Sequence, residues 1–489
     1  MSEQNGRSWW DDGARRVLSR EACEEIAARV QRFASGGGST GVTITSWWNG
    51  ELRWGRNEVT LASDRRSVVV EIERTRLGGP QAAGTASCNQ LDDESLRAAV
   101  RAAEWAAGLE NPTRRPPLTP QQPDLALPET RIWSDTTHDV PATARGEVAR
   151  AMIEPAAREG MLSAGYLEVR TQSVAQFGGR ETYRSHPLTT QPLYAAATQA
   201  QCSLTVRNRA GNASGWAGAS SYDWNALATG ELAARALEKC RSSADPVAIE
   251  PGRYTVILEP QAVHDLIQPM FRPMEQREHN EAFPSYPFHL GMDEALGIGR
   301  TKLGRPIMDR RLSITHDPAD PLQGVLPFNG RGDPYRPITL VENGVITALA
   351  FDRYYAAGRL NEQQPLPFAG AYRMTGGDTS VEEMIRSTRR GLLVTRLSNV
   401  RILDLSSMLC AGHTRDGLWL IENGRISRPV RNFRFVESSL VALNSIEQIG
   451  PAVPVFHPAR DPAHAALHSA IVPALKVRDF SFTSSVDAI

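Results

Sequence analysis

The chain has 489 residues, a length that calls for more than one hydrophobic core. Its 54 Lys and Arg stand against 55 Asp and Glu, a formal net charge of −1, so no global field draws it to nucleic acid or to an anionic membrane. With 41% apolar and 22% charged residues, it lies outside the low-hydrophobicity, high-charge range of disordered chains.

The first residues carry Glu3, Asp11 and Asp12 and no apolar run, against a secretory signal. No stretch approaches the ~18 successive apolar residues of a membrane helix, so a cytoplasmic location is expected. The five cysteines (Cys23, Cys88, Cys202, Cys240, Cys410) are widely spaced and form no CxxC pair, which argues for buried thiols over a disulfide framework or a structural zinc site.

Residues 19–34 read as an amphipathic helix capped by Ser19, with Ala22, Ile26, Val30 and Phe33 on one stripe. Alternation at Val42, Ile44 and Ser46 marks a strand, Asn49-Gly50 a hairpin turn, and Val68 to Ile72 a buried strand. Asp92 then caps a second helix that carries Leu96, Val100, Ala103 and Ala107. Six prolines between Asn111 and Pro128 break every periodic pattern. The same order follows again: a helix at 143–158, strands at 166–174 and 195–206, and a helix at 225–241. The expected divisions are an α/β domain at 1–110, a Pro-rich linker at 111–128, a central α/β domain at 129–248 and a β-rich domain at 249–489. In the last, Asn343-Gly344 and Asn423-Gly424 sit between apolar strands as two-residue turns, and Ser380 with Glu383 forms a capping box.

The segment from 249 onward resembles the C-terminal domain of the TldD/PmbA metallopeptidase family. The residues that carry the likeness are the strand Tyr254–Leu258, the run Ile314-Thr315-His316-Asp317-Pro318, both Glu-Asn-Gly turns and the stretch Gly391–Leu397. The run Asp416–Ser427 and the ending Pro473-Ala474-Leu475-Lys476-Val477 complete the series. The resemblance implies an α/β (α+β) fold with two N-terminal helix/β-meander domains and a β-rich C-terminal domain. Zinc-binding members of the family hold one zinc through two histidines of an HExxxH helix just after the strand matching 254–258, and through a cysteine near the C-terminus. The motif's glutamate serves as general base.

In this chain the matching stretch runs from Gln261 to Met270. His264 is followed by Asp265, but Pro269 stands where the second histidine belongs, and no cysteine follows Cys410. These departures are those of the PmbA/TldE type. The resemblance then implies no catalytic residue and no metal in this chain. It implies a heterodimer with a TldD-like subunit that carries the zinc, acting on extended, unfolded peptides or peptide precursors, with antibiotic biosynthesis among the settings. A diverged self-contained metallohydrolase and a homodimeric peptide-binding or scaffold protein are the alternatives.

Other residues compete for a role. Glu278, His279, Phe283, Tyr286 and His289, with Glu275 and Glu281 nearby, form the densest group of potential ligands, and read as a solvated loop, a subunit contact or a substrate lid. His464 and His468 lie four apart and, with His457, form a weak metal candidate beside a surface reading. Of the neighbours Trp47 and Trp48, one must face away from the core, a candidate substrate or partner surface. His316-Asp317 lacks a GxSxG nucleophile elbow and reads as a turn.

Overall fold

The computed structural model describes residues 16–35, 38–75, 83–109, 126–178, 192–293, 298–360, 364–457 and 469–486. It is a mixed α+β chain. The first helix and meander are α1 (Arg20–Phe33), β1 (Thr40–Gly55), β2 (Glu58–Thr75), β3 (Ala83–Cys88) and α2 (Asp93–Gly108). After the short α3 (Asp135–His138) the order repeats as α4 (Ala142–Arg158), β4 (Leu162–Phe177), β5 (Leu193–Arg207), β6 (Ser214–Ser221) and α5 (Thr229–Ser242). The two meanders do not form separate sheets. β1 pairs antiparallel with β4 along thirteen residues, Val42 opposite Phe177 through Trp54 opposite Gly165, which gives one six-stranded sheet of order β3-β2-β1-β4-β5-β6.

Local chemistry fixes the ends of these elements. Ser19 and Asp92 accept the backbone N–H groups of Ala22 and Ser95, as N-caps do. The hairpin between β1 and β2 turns at Arg56-Asn57, both with positive φ, and not at Asn49-Gly50, which lies inside β1. Asn57 tolerates that backbone, and its side chain ties the turn to Met161 and Ser163. Gly50 serves packing instead: a Cβ there would overlap the guanidinium of Arg145, which crosses the strand on its way to Asp64.

One face of the sheet carries the helices. Ile26, Val30, Ile44, Val70, Ile72, Leu96, Val100 and Ala175 form one core under α1 and α2. Ala149, Met152, Leu167, Cys202, Leu204, Leu232 and Ala236 form the matching core under α4 and α5. Both halves use the same device. Gly84 in β3 and Gly215 in β6 let a helix backbone approach so closely that a Cβ at either position would lie 2.1 Å from a helix carbonyl oxygen, that of Ala103 or Ala236 respectively.

The remaining elements form the C-terminal unit. They are β7 (Gly252–Leu258), α6 (Pro260–Ile267), α7 (Phe271–Met274), α8 (Arg277–Ala282), β8 (His289–Asp293), β9 (Ile298–Thr301) and β10 (Ile314–His316). Then come β11 (Ile338–Glu342), β12 (Val345–Ile346), α9 (Arg353–Tyr355), β13 (Tyr372–Met374), α10 (Val381–Arg386), β14 (Arg390–Asp404) and β15 (Leu409–Glu422). The last are β16 (Arg425–Pro429), β17 (Phe433–Ser438), α11 (Ser439–Asn444), β18 (Ile446–Val455) and β19 (Ala470–Ser485). Strand β7 pairs with both β14 and β19, so the path β19-β17-β15-β14-β7 closes into a barrel. Phe433, Phe435, Phe480 and Phe482 are buried in its core beside Val256, Leu392 and Leu418. Both Asn-Gly turns hold positive φ at each residue, and the capping box of Ser380 and Glu383 is formed in both directions. All five cysteines are free thiols, and no described helix is long and apolar enough to cross a membrane. The Pro-rich residues 111–125 lie outside the described residues.

The close approach at Gly215 makes a test of the helix–sheet seam. Gly215→Ala is expected to lower stability by about 2 kcal/mol. By contrast Gly146→Ala, inside α4 with open space around its Cβ, should raise it by about 0.5–1 kcal/mol. Denaturant melts of the two variants check both signs.

Candidate functional site

The site is built where the six-stranded sheet meets the C-terminal unit. β7 leads into α6 through Glu259 and Pro260, and proline at the first helical turn suits a helix start because no N–H is lost there. Ala262, Val263, Leu266 and Ile267 bind α6 to the C-terminal core, which fixes the direction of His264. Gln261, one turn earlier, clamps the chain after β18: its amide nitrogen donates to Phe456 O (3.2 Å) and its amide oxygen accepts from Phe456 N (3.1 Å). That clamp delivers His457.

His264 and His457, 3% and 8% exposed, meet at 3.0 Å between Nε2 of the first and Nδ1 of the second, with their rings edge to face. The other nitrogen of His264, Nδ1, lies 2.8 Å from the hydroxyl of the fully buried Tyr372. Burial, with Asp265 nearby, holds the Tyr372 phenol protonated far above its ordinary range. The phenol hydroxyl and His264 Nδ1 share one hydrogen bond, and His264 Nε2 and His457 Nδ1 share the next. The three side chains form a continuous hydrogen-bond chain, backed by Phe271 stacked on Tyr372 at 3.8 Å.

Asp265 turns away from this chain. Its carboxylate accepts from Gln261 Nε2 (2.9 Å) and from the backbone N–H of Leu397 (2.9 Å), and surrounding protein pushes its pKa up to about 6 against the pull of Arg396. Arg396 lies 4.4 Å over the Trp216 ring and pairs with the buried Asp416 at 3.3 Å. Phe456 packs against Trp216 and Tyr166 of the sheet, which joins the histidine pair to β4 and β6.

A catalytic zinc centre needs three protein ligands and an open position. Here the residue five beyond His264 is Pro269, the acidic residue beside His264 is committed to Leu397 and Gln261, and the two imidazoles are bonded to each other. No group of three His, Cys, Asp or Glu side chains converges among the described residues. The residues present do not fit a catalytic zinc.

The other sequence candidates fall elsewhere. Trp48 is buried under the helices, with Arg16 stacked 3.6 Å over it, whereas Trp47 is half-buried on the opposite face beside Gln172. His279, Phe283 and Tyr286 stack on one another, with Phe283 48% exposed. Tyr286 bonds Gln276, His289 bonds the carbonyl of Asn280, and Glu278 sits at the start of α8. These side chains form their own surface cluster, joined by no described contact to His264. His457 pairs with α6; His464 and His468 lie outside the described residues. His316, expected in a turn, is instead the buried last residue of β10, paired with β11 and bonded to Ala371 O, while Asp317 just after it accepts locally from Ala319 N–H. Tyr372 escaped the sequence reading because no motif marks it, and Gln261 and Arg396, though inside stretches that carry the family likeness, had no role assigned because their partners are distant in sequence.

Residues 251–484 match the model of the PmbA/TldA metallopeptidase C-terminal domain. The fold is similar to TldE from Thermococcus kodakarensis (TM-score 0.74, 17% identity, covering 94% of this chain and 100% of that one). It is similar to a protein from Thermotoga maritima described as a candidate modulator of a DNA gyrase (TM-score 0.74, 17% identity, 94% and 100% covered). A like-described protein from Bacteroides thetaiotaomicron gives TM-score 0.75 at 17% identity, with 96% and 100% covered. No curated protein matches the chain by sequence.

The raised pKa of Asp265 has a measurable sign. Its folded pKa of about 6 lies above the unfolded value, so the carboxyl carries no penalty below pH ~4 and the full penalty above pH ~6. The stability of the wild type relative to Asp265→Asn should fall by on the order of 2 kcal/mol between pH 4 and pH 7. Paired denaturant melts across that range check it; a flat difference refutes the assignment.

Proposed function

Because the chain belongs to the PmbA/TldD family through residues 251–484, we propose that it is the non-catalytic subunit of a heterodimeric metallopeptidase. In this reading a TldD-like partner supplies the zinc, and this chain helps to enclose an unfolded peptide or peptide precursor. The observation that carries the proposal is the replaced ligand set. The helix that would present a hydrolytic centre, α6, forms directly after β7, but it offers one imidazole, His264, already bonded to His457 and Tyr372.

A protein that keeps the scaffold of such a centre while locking its surviving histidine retains the shape of the cleft and gives up the chemistry. Zinc-bound hydroxide, made available near neutral pH, would be the partner's contribution. This chain's share is a wall: the sheet face around β4 and the Phe456–His457 segment. The rows of main-chain groups at the edges of the sheet add a sequence-tolerant way to hold an extended peptide. The setting is cytoplasmic in this proposal, and peptide turnover and the maturation of peptide natural products both fit.

Co-expression with the TldD-like protein of the same organism tests the reading. One zinc per heterodimer is expected, with chelator-sensitive peptide cleavage, no tightly held zinc on this chain alone, and activity that survives His264→Ala. One zinc per isolated chain, lost in His264→Ala and His457→Ala, would instead establish a self-contained metallohydrolase. A chain that captures only itself would be a homodimeric scaffold.

A further inference from the structure

Along β4 the two-residue period sets Tyr166, Glu168, Arg170, Gln172, Val174 and Gln176 on the face away from the helices. The ends of this row touch the C-terminal unit. Tyr166 meets Phe456, Val174 shares a cluster with Leu326 and Phe328, and Gln176 Nε2 donates to Asn329 O at 3.2 Å. Tyr166 and Val174 are eight residues apart, about 26 Å of strand. The stretch between them is polar and shielded: Arg170, Gln172, Gln199 and Gln201 are 5%, 2%, 4% and 3% exposed.

This shielded stretch is short of partners. Arg170 spends one nitrogen, Nη2, on Glu168 at 2.8 Å, and Glu168 is held from the other side by the amide of Gln201. Arg170 Nε and Nη1, Gln172 Oε1 and Gln201 Oε1 have none among the described residues. The cross-strand neighbours Asn49, opposite Arg170, and Ser220, opposite Gln201, add Asn49 Oδ1 and Ser220 Oγ to the same face. A buried polar atom without a bond is costly, and a cluster of them on one face points to a ligand that supplies the missing bonds. The donors are the Nε–H and the Nη1 group of one guanidinium, a fixed positive charge whose N–H groups suit carboxylate oxygens. The acceptors around it, three amide oxygens and a hydroxyl, match N–H groups.

We propose that this face of β4 is a peptide subsite in which Arg170 takes a carboxylate, at the C-terminus or on an acidic side chain, while Asn49, Gln172 and Gln201 take amide N–H groups. The proposal rests on the peptide-handling reading above and adds to it a preference for acidic over neutral ends. Glu168 positions the guanidinium by holding Nη2 and leaves Nη1 and Nε–H for the ligand.

Fluorescent peptides identical but for a C-terminal carboxylate or amide, titrated into the full chain alone and in complex with its co-purified partner, test the subsite by anisotropy. The acid form should bind about tenfold more tightly. Arg170→Gln should abolish the difference with little effect on the amide form, and Arg170→Lys should restore part of it. Because Arg170→Gln could weaken folding, Gln172→Glu provides a second variant, expected to invert the preference by repelling the acid form. Equal affinity of the wild type for both peptides, or binding of neither, overturns the subsite, as does a preference that survives Arg170→Gln. Failure to capture a zinc subunit would sink the heterodimer reading instead, and the acid preference would still be measurable on the chain alone.

Discussion

The antiparallel pairing of β1 with β4 is the constraint on which the architecture depends. It joins two helix–meander–helix units edge to edge, removes two exposed strand edges at once, and sets a single face of six strands toward the C-terminal unit. Register matters more than contact area here. A slip by one residue would exchange Arg170 and Gln172 for Val169 and Thr171 and send the polar row into the helix-side core. The helix-side contacts of Leu167, Val169 and Ala175 hold that register and so dictate which side chains face the cleft.

The second anchor is the chain His457–His264–Tyr372. Three polar groups are buried, and each finds its partner in the next along the chain. The Gln261 clamp makes the arrangement rigid by treating the backbone of Phe456 as a strand would. The same segment presents the Phe456 ring to Tyr166 and Trp216, so the lock on the imidazoles and the seal at one end of the sheet are one structural event.

What was legible in the sequence was local. Ser19, Asp92, Ser380 with Glu383, and both C-terminal Asn-Gly turns act through neighbours within four residues, and each stands where its chemistry placed it. Asn49-Gly50 misled because the same dipeptide that relaxes a turn also vacates space in a strand, and Arg145, nearly a hundred residues later, needed that space. The closure of the barrel through β7 and the meeting of His264 with His457 depend on contacts across some 190 residues or more. No window of sequence contains both partners. The family resemblance supplied what periodicity could not, by naming the helix after β7 as the place to look.

The polar row on β4 was legible in a weaker sense. From Leu167 to Val174 polar residues occupy both faces, which departs from the alternation of a strand with one solvated face. Ser173 and Thr171 on the helix side are accounted for, the first by bonds to Ser46 and the Leu18 carbonyl, the second by His138. Arg170, Gln172 and Gln201 retain unpartnered atoms on the other face. Packing alone would favour apolar residues at such shielded positions, because exchanging buried polar groups for apolar ones of similar shape is often neutral or stabilising. A guanidinium oriented by one carboxylate, with its Nε–H and Nη1 left over, therefore argues that this face is shaped for something that arrives later, and not for the stability of the fold.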